Sequence, residues 1–450
     1  MSSNTSPSTD IRGILAGIQH MGYTTVDGIR ELIDNELDAC ATVVNIIIEN
    51  KCVVVAGNGK GMNKASCARA VTFFAAKEAS SSAGRFGLGE NAAHLVLSGA
   101  KEPTYIFTRQ ADSEKTIELE ANWPEAIVEG KWSPYAGRIT ADNSIMWEKY
   151  AINRVGQGTV KLIPMQLEKY EALKENRDEL LQEIGFAYEK QINNGKQLRI
   201  QIEGVNYDPD MSLALNYETT PPVRRGETSL ELWKNGDEER VYYMHTSLKP
   251  AFTDMVRQIT GSENKIRDYA TAEEQGFRRI AKFTLRSMYT PESNPPFEDG
   301  ERRGEVVPGY IALERDDRVL CRIPGMFPGT SGDYEERRVV GATRHKLSFT
   351  FAEDELIGVE VNKSHVREQS VNKVLLETIH MLGRRWSKTY YKSIKVNPDV
   401  PPEQRELALR IKRACATLKR MAKDNADFLD AFTELADEFN NGDDEEDESV

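Results

Sequence analysis

Two polar side chains in the sequence have the type and spacing to activate water and to hold a metal ion. Glu31 and Asn35 are four residues apart, so a helix places them on one face, and Asp38 falls beside them. A carboxylate there can polarise a water molecule, and an amide oxygen there can ligate a hard cation such as Mg²⁺. A solvated polar helix face is the alternative interpretation of the same spacing.

Two glycine-rich stretches have a composition that suits an anionic ligand. NGKGM runs from Asn58 to Met62, and GRFGLG runs from Gly84 to Gly89, directly before a helical pattern. Backbone amides approach a phosphate only where no side chain obstructs them, and a helix N-terminus adds partial positive charge. The second stretch is therefore a candidate phosphate site, with an ordinary turn before a helix as the alternative.

The elements that must position these motifs alternate between helix and strand, which predicts an α/β (α+β) fold. Apolar residues at Val26, Ile29, Ile33 and Leu37 indicate an amphipathic helix over 25–41. The next two apolar runs predict a strand, a tight turn and a second strand at Val43–Ile48 and Cys52–Ala56, with both strands buried on two sides or nearly so. Further helices are predicted at 64–78, 90–97, 166–191, 373–391 and 402–439. Further strands are predicted at 104–108, 158–163, 198–205, 240–246, 310–313, 319–323 and 356–361.

Composition limits the class of protein. The 450 residues suggest about three domains, and 39% hydrophobic content is enough for buried cores. The net charge of −13 means that any contact with DNA must be local. The five cysteines form no CxxC pair, and the chain shows neither a secretory signal nor a membrane-spanning run, so we expect a soluble intracellular protein with reduced thiols.

Taken in order, the motifs resemble those of the GHKL ATPases, which include type II topoisomerases, MutL proteins, heat-shock chaperones of this class, histidine kinases and MORC proteins. The chain reads E-x-x-D-N, then N-G-x-G-M, then G-x-x-G-x-G, then G-T. The matching residues are Glu31, Asp34, Asn35, Asn58, Gly59, Gly61, Met62, Gly84, Gly87, Gly89, Gly158 and Thr159. Within the class, ELIDNELDA, the lid ending in GRFGLG, GYIALERDDRVL, ELIGVEVNKSHVREQ and MLGRRW look most like the MORC proteins.

The resemblance implies roles for these residues. Glu31 would be the general base that aligns water on the γ-phosphate of ATP, Asn35 would hold Mg²⁺, and Thr159 would help to hold the adenine side. Residues 63–83 would form a lid over the nucleotide. The other residues implied to contact the nucleotide are Asp38, Asn58, Gly59, Gly61, Met62, Gly84, Arg85, Phe86, Gly87, Leu88 and Gly89.

One position departs from the family pattern. The family has an aspartate there that hydrogen-bonds the adenine amino group, and this chain has Gly57. Loss of a buried hydrogen bond of this kind costs about 1–3 kcal/mol. Three interpretations stay open: the Asn58 carbonyl replaces the aspartate, the affinity is weak, or the base is not adenine.

The resemblance also implies a domain order. We expect an N-terminal arm over 1–10, a two-layer α/β GHKL (Bergerat) domain over 11–195, an S5-like α/β transducer domain over 196–392, a helical segment over 393–440 and an acidic tail over 441–450. In the family, a lysine of the second domain reaches the γ-phosphate. Arg367 stands at that position here, with Lys363 close by.

The last predicted helix carries clustered cations that could neutralise DNA phosphates, or could be the solvated side of a packed helix. They are Arg405, Arg410, Lys412, Arg413, Lys419 and Arg420. The resulting hypothesis is a MORC-like ATPase that binds Mg²⁺ and ATP, dimerises with itself as a clamp, and acts on DNA or chromatin, in the nucleus if the source is eukaryotic. The alternatives are a nucleotide-gated binding or scaffold protein that does not hydrolyse ATP, and an ATP-driven chaperone.

Overall fold

The structure is a computed structural model, and the chain divides into two compact units. The first comprises Met1–Leu215, Arg315–Cys321 and Thr350–Arg367, and the second comprises the rest. The residues that the structure describes are 11–20, 22–73, 88–113, 115–131, 137–140, 145–214, 217, 225–245, 273–290, 309–324, 341–359, 371–379, 382–383 and 386–387.

The first unit contains an eight-stranded mixed sheet. Its strands are β1 (Val43–Glu49), β2 (Cys52–Gly57), β3 (Thr104–Arg109), β4 (Ile117–Ala121), β5 (Gly137–Thr140), β6 (Gly158–Pro164), β7 (Gln197–Ile202) and β8 (Val205–Tyr207). They lie in the order β5-β4-β3-β6-β2-β1-β7-β8. The β1–β7 pair is parallel, whereas the other neighbouring pairs are antiparallel. The domain boundary expected after residue 195 falls just before β7, which pairs with β1.

Helices accompany this sheet, and the mixed α/β fold class is confirmed. They are α1 (Ile11–His20), α2 (Thr25–Asp38), α3 (Lys64–Ala70), α4 (Gly89–Ser98), α5 (Trp123–Glu129), α6 (Ile145–Tyr150), α7 (Leu167–Glu175), α8 (Arg177–Ala187) and α9 (Glu189–Asn193). The apolar face of α2, including Ile29 and Ile33, packs in one core with Val44, Ile46 and Val55 of β1 and β2. This packing fixes the orientation of α2 on the sheet and therefore the positions of its polar side chains.

Local chemistry defines the two ends of α2. At its start, the Thr24 hydroxyl accepts the Asp27 N–H at 3.1 Å, and the Asp27 carboxylate accepts the Thr24 N–H at 2.9 Å, which is a capping box. At its end, Cys40 adopts a φ of +66°, a left-handed conformation that cannot continue the helix. The helix therefore ends at Asp38, three residues before the expected end at 41.

Other expectations for the first unit are met in part. β2 is buried along its length after Cys52, and β1 alternates between buried and half-buried residues, which agrees with the prediction that both strands are buried on two sides or nearly so. The stretch 166–191 is divided into α7, α8 and α9. The strand predicted at 356–361 is wrong at its start, because Asp354–Ile357 is a short helix that follows a capping box between Thr350 and Glu353.

The second unit contains most of a six-stranded sheet, of which Arg315 and residues 318–321 belong to the first unit. Its strands are β9 (Arg225–Asn235), β10 (Glu238–His245), β11 (Arg278–Tyr289), β12 (Tyr310–Arg315), β13 (Arg318–Pro324) and β14 (Thr343–Phe349). They lie in the order β10-β9-β11-β14-β12-β13. Sequence patterns did not predict β9, β11 or β14, because charged residues interrupt their apolar positions; one such residue, Arg286, lies 2.8 Å from Glu227 across two strands.

Two expectations concern regions that the structure describes only in part. Residues 373–379 are helical, within the predicted helix 373–391. The predicted helix 402–439 and the acidic tail lie outside the described residues. Within the described ranges, none of the helices has the length and hydrophobicity of a membrane-spanning segment.

Candidate active site

Glu31 is buried where two helices meet. Its side chain leaves the polar face of α2, and the residue is only 1% exposed. A Cβ at Gly89, the first residue of α4, would lie 2.2 Å from Glu31 Oε2. A side chain at residue 89 would therefore displace the Glu31 carboxylate from the first turn of α4, where the helix dipole favours negative charge.

Asn35 lies one turn further along α2 and is half-buried. Its amide nitrogen donates a hydrogen bond to Glu90 Oε2 at 2.6 Å. The amide oxygen is thus the atom of Asn35 that suits a hard cation. Asp38, the third polar residue predicted on this face, is exposed at the end of the helix.

The turn that follows β2 is tightly enclosed. A Cβ at Gly61, whose φ is +66°, would lie 2.0 Å from the carbonyl oxygen of Arg109 at the end of β3. A Cβ at Gly59 would lie 2.7 Å from the Ala39 carbonyl oxygen at the end of α2. Both glycines are required because backbone from α2 and β3 comes this close to the turn.

A residue that the motifs did not include joins this turn to β6. Thr108 Oγ1 accepts the Met62 N–H at 2.8 Å and donates to the Gly158 carbonyl oxygen at 3.0 Å. It also lies 3.2 Å from the hydroxyl of Thr159. Thr108, on β3, therefore connects two of the glycine-containing motifs, although an isolated threonine in a strand gives no signal in sequence.

Asn58 has a structural role in the same turn. Its side-chain oxygen accepts the N–H groups of Thr42 and Val43 at 2.8 and 3.0 Å. Its amide nitrogen donates to the Thr42 hydroxyl at 2.9 Å. Because two backbone donors already occupy the Asn58 carbonyl, the interpretation in which this carbonyl replaces the missing aspartate loses its basis.

Next to this turn is a buried cluster of charges, which we call the Lys161 cluster: Lys161, Glu36, Glu90 and His94. Lys161 Nζ lies 3.1 Å from Glu36 Oε1 and 3.0 Å from Glu90 Oε2. His94 Nε2 lies 3.1 Å from the other oxygen of Glu90. The Asn35 hydrogen bond to Glu90 connects the cluster to the polar face of α2.

Burial and ion pairing act in opposite directions on this cluster. Burial alone would raise the pKa of Glu90, but Lys161 and His94 lower it to about 2. Burial alone would lower the pKa of Lys161, yet Glu90 and Glu36 raise it. For Glu36, burial raises the pKa while Lys161 opposes the change. Lys161 and Glu90 are therefore an ion pair at neutral pH.

The Lys161 cluster also contacts Gly57, the residue that stands in place of the family aspartate. A Cβ at Gly57 would lie 2.1 Å from Glu36 Oε2. The carboxylate of Glu36 thus fills the space that a side chain at residue 57 would need, so the glycine at this position and the glutamate on α2 depend on each other.

Arg318 belongs to the GYIALERDDRVL stretch, but the sequence motifs assigned it no role in the site. It lies in the segment Arg315–Cys321 of the first unit, is buried, and forms an ion pair with Asp34. Burial and the neighbouring Arg30 lower the pKa of Arg318 to about 9, although Glu31 acts in the opposite direction. A cation thus lies near the candidate base.

Some predicted site residues cannot be placed. Within the glycine stretch before α4, Leu88 is buried at the N-cap position and Gly89 begins the helix. The predicted site residues that lie outside the described residues are Gly84, Arg85, Phe86, Gly87, Lys363, Arg367, Arg405, Arg410, Lys412, Arg413, Lys419 and Arg420.

Comparison with known proteins supports the GHKL-type assignment of this region. Residues 23–132 match the family model described as "Histidine kinase-, DNA gyrase B-, and HSP90-like ATPase". The matched segment contains Glu31, Asn35, the glycine turn and Gly89, so a GHKL-type ATP-binding domain is supported there.

Among solved structures, the chain is similar to the Aquifex aeolicus MutL ATPase domain complexed with ADP. The sequence identity is 14% and the TM-score is 0.32, and the similarity covers 72% of this chain and 91% of that one. No curated protein sequence matches the chain.

The described residues fit a nucleotide. The turn at Gly59 and Gly61 leaves no space for side chains, and Glu36 Oε2 is a buried acceptor without a hydrogen-bond donor in the described part of the chain. Asn35 offers an oxygen that suits Mg²⁺. These are features that a polar ligand with N–H donors and phosphates would use.

Proposed function

We propose that the first unit binds ATP with Mg²⁺ and hydrolyses it slowly. The observation that carries this proposal is the buried Glu31 carboxylate, which lies against the first turn of α4 where Gly89 leaves room for it. A carboxylate fixed in this way can accept a proton from an attacking water molecule. Mg²⁺, held by the Asn35 oxygen, would neutralise phosphate charge.

We further propose a MORC-like cycle in which ATP binding closes the lid and brings two copies of the chain together as a clamp on DNA. The order of the motifs and the resemblance of GYIALERDDRVL support this step. The cations between Arg405 and Arg420 would supply the local positive charge that the net charge of −13 makes necessary. In a eukaryotic source the protein would then act in the nucleus.

A second candidate is a nucleotide-gated scaffold that dimerises without hydrolysis. Gly57 favours this candidate, because strand β2 supplies no acidic side chain to bind the adenine base of the nucleotide. Phosphate release separates the two candidates: both bind ATP and dimerise, but only the first releases phosphate.

The test is calorimetric binding of ATP and a non-hydrolysable analogue with Mg²⁺, with light scattering and phosphate release on the same samples. Glu31→Ala should bind ATP and double in mass but release no phosphate. Asn35→Ala should lose the Mg²⁺-dependent part of binding. Glu125→Ala, an exposed carboxylate on α5, is the matched control. Unchanged phosphate release in Glu31→Ala would remove this residue from the role of base.

A further inference from the structure

In the Lys161 cluster, one buried oxygen accepts no hydrogen bond from the residues that the structure describes. Glu36 is 2% exposed, and its Oε1 is held 3.1 Å from Lys161 Nζ. Its Oε2 has no hydrogen-bond partner in the part of the chain that the structure describes. A buried acceptor without a donor is unfavourable, so a ligand that brings an N–H group to it gains a strong hydrogen bond.

The position of this oxygen indicates which part of a ligand it meets. Glu36 Oε2 lies directly over Gly57, the last residue of β2, at the entrance to the glycine turn. In the register of the sheet, Gly57 is opposite Thr159 and Val55 is opposite Lys161, so all four share one face of the sheet. This face also carries Thr108, opposite Thr159 on β3.

We propose that Glu36 selects the base of the bound nucleotide by accepting a hydrogen bond from an exocyclic amino group. This inference rests on the nucleotide binding proposed above. The contact of 3.1 Å with Lys161 Nζ favours the ionised form of Glu36. In this form the carboxylate accepts from the 6-amino group of adenine but repels the 6-carbonyl oxygen of hypoxanthine or guanine. Lys161 holds the carboxylate in place, and Gly57 leaves room for it, so the acceptor comes from helix α2 and the strand carries none.

This arrangement gives a physical reason for the pair of residues at 36 and 57. An aspartate at 57 would collide with Glu36, because even its Cβ would come within 2.1 Å of Glu36 Oε2. Either position can supply a carboxylate to this place, but not both. Moving the carboxylate back to the strand therefore requires removal of the glutamate in the same variant.

The experiment compares binding of ADP and IDP to the full chain by calorimetry with Mg²⁺. These ligands differ at the 6-position of the base and are not substrates for γ-phosphate hydrolysis. The wild type should prefer ADP by more than about tenfold, as expected for a buried hydrogen bond to a charged group. Glu36→Ala should reduce the preference to within about threefold. Glu36→Ala combined with Gly57→Asp should restore it.

Two further variants keep the test decisive. Glu36→Gln keeps the size of the side chain and presents both a donor and an acceptor, so it should also lose the preference for ADP. It replaces Glu36→Ala in the test if that variant does not fold. Glu125→Ala should bind as the wild type does. Equal binding of ADP and IDP by the wild type, or an unchanged preference in Glu36→Gln, would overturn the role of Glu36 while nucleotide binding stands. A wild type that binds neither nucleotide would overturn the proposed function itself.

Discussion

Replacement of Lys161 by methionine tests whether the Lys161 cluster is held together by charge. The ammonium group lies 3.1 Å from Glu36 and 3.0 Å from Glu90, and the side chain of Lys161 is only 3% exposed. Methionine keeps most of the volume but leaves two buried carboxylates without their cation. Removal of one partner from a buried ion pair costs about 3–5 kcal/mol, so Lys161→Met should destabilise the chain by about that amount at pH 8.

The destabilisation by Lys161→Met should depend on pH. In the wild type, Glu90 stays ionised down to its lowered pKa of about 2, so its contribution to stability is lost only as the pH falls below about 4.5 toward 2. In Lys161→Met the two carboxylates repel each other and their pKa values rise. The variant therefore gains stability on protonation, and the difference from the wild type should shrink between pH 8 and pH 5.

Urea unfolding at both pH values measures this difference. The matched control is Lys149→Met, because Lys149 makes a similar contact with Glu49 at 2.9 Å while its side chain is 51% exposed. An exposed pair contributes only about 0–1 kcal/mol. A loss in Lys161→Met no larger than in this control, or the same loss at pH 8 and pH 5, would refute the reasoning.

Three further perturbations test other parts of the structure. Gly61→Ala should lose more than about 2 kcal/mol of unfolding free energy, because its φ is +66° and its Cβ would lie 2.0 Å from a carbonyl oxygen; Gly195→Ala, also at positive φ but in open space, should lose about 1 kcal/mol. Thr108→Val should lower the unfolding free energy by about 1–3 kcal/mol in denaturant, because it leaves the Met62 N–H without its acceptor. Thr108→Ser retains the hydroxyl and should therefore retain most of the wild-type stability. Burial lowers the pKa of His345 to about 3, so the second unit should gain stability as the pH rises from about 3 to 6.5, and unfolding of His345→Gln should lose this slope.

The elements around the site could be predicted from sequence because their apolar residues follow a single period. The spacing of Ile29 and Ile33 on α2, and the apolar runs of β1 and β2, are dictated by one contiguous core. The strands β9, β11 and β14 gave no such signal. Their charged residues are stabilised by partners far away in sequence, such as Glu227 for Arg286, and a local pattern cannot contain that information.

The residues of the candidate site also fall into those that a sequence motif predicts and those that it does not. Residues that act through a short motif, such as Glu31 with Asn35 and the glycines of the turn, are visible because the chemistry needs them at fixed spacing on one element. Lys161, Thr108 and Arg318 are single residues on separate elements, and they reach the site through sheet pairing or burial. No spacing rule connects them.

The exchange between positions 36 and 57 shows what a motif comparison made position by position misses. Gly57 alone suggests a lost acceptor, and Glu36 alone is one more acid on a polar helix. They are 21 residues apart, but the packing of α2 on β2 brings the carboxylate of one onto the backbone of the other. A hydrogen bond to a ligand depends on where the acceptor oxygen lies and not on which element carries it. The absence of an aspartate at residue 57 is therefore not evidence of a disabled pocket. It becomes so only if the wild type binds neither ADP nor IDP.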